Sequence, residues 1–420
     1  MKYLFNISGN IPHAKIENIK IPLEGRNLII TGKNGSGKTS FLKLLEQKIL
    51  LHLDKKAYLT DGQISSIRHY EDIINSHHKG SIEYSQAEYQ LNYLYQNRKN
   101  IEEGLILKLE NELDFLALHD ELKAIFVYFK AMRIASITET KHTSSIEDEK
   151  NIAIQNLKNR NSESFGNKLE QHLVNIKVNQ SLALTEDKNQ EQANQFQEWF
   201  DNFDNHLKFL FEDDNAHLVF YRQNFKFKIS LENREFDFQT LSSGYLAIFE
   251  ILADLLVRSE FFEITPNELQ GIVLIDETDA HLHISLQKKI LPFFSKLFPQ
   301  IQFIVTTHSP FVITSTDNDT VVYDISSREL FEEDLSRYSY ESVIKGLFHV
   351  NPISSDTKNS IEILKNLLNE NPSNYENIRS IVKSLIELEK NDLLDKSLKN
   401  LYLQAINLLA DKNQLEDLDV

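Results

Sequence analysis

The chain has 420 residues, a formal charge of −17, 41% hydrophobic residues and no cysteine. Such a composition supplies a large α/β core, excludes disulfides and thiolate metal sites, and argues against a surface that coats nucleic acid, leaving room only for a local basic groove. No run approaches the roughly 20 apolar residues of a membrane span, and residues 1–6 lead into a strand pattern without a cleavable apolar stretch, so a cytoplasmic protein without membrane contact is expected.

Asn27-Leu28-Ile29-Ile30 reads as a short buried strand, and Ser40-Phe41-Leu42-Lys43-Leu44-Leu45 has helical spacing. Between them lies Gly32-Lys33-Asn34-Gly35-Ser36-Gly37-Lys38-Thr39, which is the strand-to-helix setting that a phosphate-binding loop needs. Its glycines let the backbone turn so that successive N–H groups and the helix N-terminus face an anion. Lys38 is expected to reach the β- and γ-phosphates of ATP, with Thr39 as a Mg²⁺ ligand and Ser40 in the same cradle.

Residues 51–122 read as mainly helical, with Leu105, Leu109, Leu113 and Leu116 near helical spacing, and 124–129 as a strand. Residues 138–165 are polar and carry Lys141, His142, Lys150, Lys158 and Arg160 dispersed among acids, a pattern of ordinary solvated charges. The stripe Phe196, Trp199, Phe200, Phe203, Leu207 and Leu210 suits the core face of a helix, and 225–229 alternates as a half-exposed strand.

The second half supplies further chemistry. Leu241-Ser242-Ser243-Gly244 opens an apolar helical segment, placing hydroxyls and N–H groups at a helix N-terminus; a plain N-cap would look the same. Gly271-Ile272-Val273-Leu274-Ile275 reads as a central parallel strand ending in Asp276-Glu277. Asp276 is expected in the Mg²⁺ shell and Glu277 as the base that polarises the attacking water. Helical spacing over 284–297 and a strand at 301–305 complete a crossover unit, after which His308 falls on the same sheet edge as Glu277, in reach of a γ-phosphate. Residues 320–324 read as the last strand of this region and 357–410 as a leucine-rich helical tail broken near Pro372, its apolar faces packing on the rest of the chain or docking a partner.

A Walker A loop, a Leu-Ser-Ser-Gly signature, a Walker B pair and a switch histidine, in this order, resemble an ABC-type ATPase head of the SMC and OLD branch. The segments Asp276-Glu277-Thr278-Asp279-Ala280-His281-Leu282-His283 and Thr306-Thr307-His308-Ser309-Pro310 resemble the OLD-like group, which populates bacterial anti-phage operons. The resemblance spans residues 1–50 and 195–350. It implies two heads enclosing two nucleotides head to tail, Ser243 and Gly244 touching the γ-phosphate held by the partner's Lys38, and Asp279 in the loop joining the sites. One departure stands out. Family heads carry a glutamine after the strand that ends the first lobe, whereas here that strand runs into Lys130-Ala131-Met132-Arg133. Arg133 reads equally as a phosphate or interface group and as a surface ion pair.

OLD nucleases add a Toprim domain with metal-holding acids. Asp317-Asn318-Asp319 has no such domain around it, and His77-His78 and His281-Leu282-His283 lack the company of a metal site. This organisation resembles the stand-alone ATPases of the Septu, retron and PARIS defence systems, which act with a separately encoded effector, often a nuclease. The expected architecture is therefore an α/β P-loop head. Its first part is 1–50, its second part 195–350, with a mainly helical insertion over 51–194 that contributes one head strand near 124–135 and a helical C-terminal region over 351–420. The expected function is an ATPase whose nucleotide-driven dimerisation controls that effector. Two other functions fit the sequence: an SMC-like ATPase that clamps DNA, and a non-catalytic ATP-bound scaffold, against which Glu277 argues.

Overall fold

The computed structural model describes residues 2–131, 137–140, 143, 145–158, 165–348, 355–369, 374–391, 394, 396–412 and 414–415. The chain divides into two compact units, 1–340 and 341–420. Arg133, Lys141, His142, Arg160 and Pro372 lie outside the described residues.

The strands of the first unit are β1 (Leu4–Ile11), β2 (Ile16–Pro22), β3 (Asn27–Thr31), β4 (Leu105–Leu109), β5 (Ala124–Phe129), β6 (His217–Tyr221), β7 (Lys226–Leu231), β8 (Arg234–Asp237), β9 (Gln270–Ile275), β10 (Ile301–Thr306), β11 (Thr320–Asp324) and β12 (Glu329–Phe331). They form three sheets, a six-stranded β12-β11-β3-β10-β9-β5 and the three-stranded β2-β1-β4 and β6-β7-β8. In the large sheet the five strands from β11 to β5 are parallel and β12 is an antiparallel edge. Every residue of β3 and β10 is buried, as befits central strands covered on both faces. The register brings the carboxyl ends level: Thr306 pairs with Ile30, Val305 with Ile275, Ile275 with Phe129 and Thr31 with Asp324. That edge is where open parallel sheets gather their ligands.

The mixed α/β head with helical additions is thus present. Three local expectations differ. Leu105–Leu109 is a strand, not part of a helix, because Leu105 and Leu107 are buried while Ile106 and Lys108 are exposed, a period of two that pairs with β1. The expected helix over 284–297 is two, Ile284–Gln287 and Ile290–Leu297. And β11 is not the last strand, since β12 returns beside it.

Within 51–104 the helices Asp61–Ser76 and Ile82–Glu102 form a hairpin closed by Ile67, Leu91 and Leu94. A capping box at Thr60 and Gln63 starts the first helix. The aromatic stripe lies on the helix Gln190–Phe211, where Phe200, Phe203, Leu207 and Leu210 are buried and Trp199 stacks on Phe203, so it is core. In β7, Phe227, Ile229 and Leu231 are buried and alternate with half-buried Lys226, Lys228 and Ser230.

In the second unit the helices Ser355–Asn369, Tyr375–Lys390 and Lys396–Asp411 bury their apolar faces on one another through Leu364, Ile378, Val382, Leu385, Leu398, Tyr402, Ala405 and Leu409. The tail's amphipathic faces are thus the core of a small helical unit of their own. Among the described residues no helix is long and apolar enough to cross a membrane.

Candidate nucleotide site

The glycine-rich loop leaves β3 and enters the helix Lys38–Leu53, with Gly32, Gly35 and Gly37 all at positive φ. Gly32 has no room for a side chain, because a Cβ there would lie 2.6 Å from Ser326 Oγ and 3.0 Å from Asp324 Oδ1. Those two residues brace the loop from the end of β11. Ser326 N donates to Asp324 Oδ1 (2.7 Å), and Ser326 Oγ accepts from Lys33 N (2.8 Å). Lys33, Asn34 and Gly35 are exposed, while Ser36, Thr39 and Ser40 are half-buried around the first helical turn. Ser36 Oγ is a buried atom with no hydrogen-bond partner, as a hydroxyl meant for a ligand oxygen would be.

Lys38 is only 7% exposed, and its ammonium donates to the carbonyls of Gly32 (3.0 Å) and Lys33 (3.1 Å) across the mouth of the loop. Burial pulls its pKa below the ordinary lysine value. The carboxylates of Glu277, Asp276, Asp279 and Asp324 pull the other way.

Two consecutive threonines at the end of β10 hold the acidic loop. Thr306 Oγ1 donates to Asp276 Oδ1 (2.6 Å) and accepts from Glu277 N (2.7 Å), while Thr307 Oγ1 donates to Asp279 Oδ1 (2.6 Å). Asp276 is 1% exposed, and its N–H donates to Phe129 O at the end of β5. Glu277 sits at φ 49 and His281 at φ 63, left-handed conformations that cost L-residues roughly 1–2 kcal/mol and are kept where a site needs them. Tyr128, beside Asp276, is pushed far above the usual phenol range by burial and then by the charges of Asp276 and Glu46, so its hydroxyl keeps its proton.

His308 is half-buried, its N–H 3.4 Å from Asp279 Oδ1. Burial, then the Lys38 charge, lower its pKa against the opposing pull of Asp279 and Glu277, which favours the neutral ring. The structure therefore gathers Lys38, Asp276, Glu277, Asp279 and His308 in one electrostatic neighbourhood. Ser309 Oγ donates to Gln287 Oε1 (2.6 Å) and caps the helix Pro310–Ile313, fixing the turn after His308.

Ser242 is the N-cap of the helix Ser243–Phe261, yet its hydroxyl makes no capping bond, and both serines are exposed. The plain N-cap reading therefore lacks the bond that would define it. Gly244 is buried, and a Cβ on it would come 2.6 Å from the His281 carbonyl oxygen, so the signature rests directly on the loop that carries the carboxylates.

Sequence reasoning placed Thr306 and Thr307 in the motif around His308 without giving either a role, and did not single out Asp324, Ser326 or Tyr128. A hydroxyl pair closing a buried strand was the available signal for the first two. The expected Asp317-Asn318-Asp319 stays an ordinary turn, with Asp319 N donating to Asp317 Oδ1. Among the described residues no cluster of three or more His, Cys, Asp or Glu could by itself hold a metal.

Residues 28–314 match the family described as "AAA domain, putative AbiEii toxin, Type IV TA system", more than half of the chain. The chain belongs to that family. Membership makes residues 28–314 an ATP-binding domain of the AAA type. Among curated proteins it is 44% identical over 84 residues to the Retron Ec83 probable ATPase of Escherichia coli, covering 19% of this chain and 16% of that protein. It is 27% identical over 307 residues to the Septu protein PtuA of Bacillus thuringiensis, covering 69% of this chain and 67% of the relative. Among solved structures, the Smc head domain bound to the C-terminal domain of ScpA, from Pyrococcus furiosus, covers 79% of this chain and 95% of its own at 13% identity and a TM-score of 0.32. At that score the fold rests on the strand order and register given above.

Proposed function

We propose that the chain is the ATP-hydrolysing subunit of a bacterial anti-phage defence complex, in which nucleotide-driven pairing of two heads controls a separately encoded effector, a nuclease. The gathering of Lys38, Asp276, Glu277, Asp279 and His308 at one sheet edge carries the hydrolytic part of this reading. The likeness to a retron ATPase and to a Septu protein supports the defence part.

In this reading the loop N–H groups and Lys38 hold the β- and γ-phosphates, with Ser36 donating its unpartnered hydroxyl. The charges of Glu277, Asp276, Asp279 and Asp324 all act on Lys38 before any phosphate enters, and a neighbourhood so rich in carboxylate oxygen suits a hard divalent cation such as Mg²⁺ once phosphate oxygens complete its shell. Thr39 and Asp276 would hold that ion, which supplies charge neutralisation between the phosphate oxygens. Asp276 has one oxygen fixed by Thr306. Glu277 polarises the attacking water, and neutral His308 contacts the γ-phosphate.

The signature completes the site from a second copy. Ser242 and Ser243 present exposed hydroxyls at a helix N-terminus, an anion site directed away from any bond within the chain. Glu277→Gln is expected to retain ATP binding and lose at least about 99% of phosphate release, consistent with loss of a general base. Ser243→Arg is expected to abolish turnover with nucleotide affinity nearly intact; normal turnover in that variant contradicts the two-copy site. For the defence role, affinity capture from the native host should recover an effector, and deletion should raise phage sensitivity. Recovery of no partner together with unchanged sensitivity removes that part of the reading.

A further inference from the structure

Glu170, at the start of the helix Leu169–Thr185, is completely buried yet lies far along the chain from every motif described above. Its two oxygens are both used. Oε1 accepts from Phe227 N in β7 (3.2 Å) and Oε2 from Gln239 Nε2 (2.7 Å), with a further backbone bond from Thr140. The same Gln239 amide donates to Ile137 O (3.2 Å).

Gln239 belongs to the short turn Phe238–Thr240 that runs directly into the signature. Residues 137–140 follow β5, whose last residue, Phe129, accepts the Asp276 N–H. A second bridge joins the same two places, because Lys226 reaches both Glu139 (3.1 Å) and Asp237 (3.4 Å). Thr138 N donates to Asn167 O, tying the segment to the turn before Glu170. Here the chain after β5 and the entry to the signature meet on a buried carboxylate.

We propose that Glu170, through Gln239, is a positioning residue for the signature serines, setting Ser242 and Ser243 for hydrolysis without touching nucleotide. The inference rests on the two-copy reading of the signature given above. Chemistry makes the carboxylate specific. Every partner of Glu170 is a donor, so Glu170→Gln turns an amide NH₂ toward either Phe227 N–H or the Gln239 amide. Flipping Gln239 to accept would set its carbonyl against Ile137 O.

The test uses the full chain with Glu170→Gln and, as the variant that spares the fold, Gln239→Ala, since Gln239 is exposed. Turnover number, KM for ATP, affinity for ADP and thermal midpoint are measured for each. ADP lacks the γ-phosphate that the signature would touch, so it reads the P-loop half alone. The expected result is a kcat about tenfold lower in both variants with ADP affinity within twofold of wild type, and a double variant no slower than the worse single one. Unchanged kcat in Gln239→Ala, or ADP affinity falling in step with kcat, overturns the proposal. Ser243→Arg separates it from its premise: if that variant turns over normally, the two-copy signature fails, whereas loss of turnover there with normal Gln239→Ala turnover sinks only the role of Glu170.

Discussion

Thr306 offers the sharpest energetic test, because one hydroxyl serves the Asp276 carboxylate and the backbone of the proposed base together. Thr306→Val keeps the shape and removes the oxygen. Buried Asp276 Oδ1 then loses the donor at 2.6 Å, and Glu277 N–H loses the acceptor at 2.7 Å. A hydrogen bond to a charged group contributes about 1.5–3 kcal/mol, and a buried donor left unmade costs about 1–3 kcal/mol. Thr306 is fully buried, so water does not replace the donor lost by Asp276, whereas Glu277 is exposed and its N–H falls at the low end of that range; the two contributions together come to about 2.5–4 kcal/mol. Thr306→Ser keeps both bonds and loses one buried methyl, about 1 kcal/mol.

Trp199 is the single tryptophan and lies in the first unit, so its fluorescence during urea unfolding follows that unit and not the C-terminal helices. At a urea slope of about 3 kcal/mol per M, the valine variant should unfold about 0.8–1.3 M earlier than wild type and the serine variant about 0.3 M earlier. The valine variant should also lose turnover, since Asp276 and Glu277 both lose their tether. A valine midpoint no lower than that of the serine variant, with turnover retained, would refute the claim that this hydroxyl organises the acidic loop.

Gly244→Ala must move either the signature or the His281 carbonyl, since its methyl would sit 2.6 Å from that oxygen; destabilisation of about 1–3 kcal/mol with a fall in turnover is expected, and a crystal structure with both segments unshifted would contradict it. His172 is wholly buried, and although burial opposes its charge, the Glu260 carboxylate at 2.7 Å and the Glu149 charge outweigh burial and raise its pKa. The folded state thus holds the proton more tightly, so this contribution is complete below the unfolded value of about 6.5 and is lost as pH rises through the folded one. Thermal midpoints from pH 6 to 9 should fall more steeply in wild type than in His172→Gln, and equal slopes would exclude the effect. For His308 the sign is opposite: its lowered pKa keeps the ring neutral, and the stability this brings is lost as pH falls below about 6.5. Bound triphosphate offsets the Lys38 charge, so nucleotide should raise the His308 pKa in an NMR titration, and a downward shift would contradict the proposed contact.

The site was legible from the sequence because its parts sit at strand ends, where a glycine run or an acidic pair breaks an apolar run. Asp276-Glu277 closes a strand that an unbroken apolar, β-branched run makes plain, and β9 forms as expected, with Gln270 added. The supports were hidden for a physical reason. Thr306 and Thr307 act through hydroxyls that reach across to a neighbouring strand's loop, roughly 30 residues away in the chain, and spacing along one chain says nothing of such pairings. Leu105–Leu109 misled for a different reason: leucines four apart satisfy a helix and a strand alike, and only the exposure of Ile106 and Lys108 separates the two. Glu170 was equally invisible, since one acid in a helix reads as solvated until its donors arrive from β7 and Gln239.

The central position of β10 would let the proposed hydrolysis and the proposed pairing of heads be coupled in this fold. The strand lies between β3, which leads into the phosphate loop, and β9, which leads into the acids. Four successive residues at its end address four different places: Thr306 holds Asp276, Thr307 holds Asp279, His308 shares the field of Lys38 and Glu277, and Ser309 locks Gln287. The acidic loop held in this way continues to His281, whose carbonyl is the floor beneath Gly244. A change at the γ-phosphate that moves His308 therefore bears, through Asp279 and the loop, on the signature that would serve the partner's nucleotide. Close-packed contacts of this kind shift together or not at all. Hydrolysis on one side would then be felt by the binding surface on the other without any hinge remote from the site.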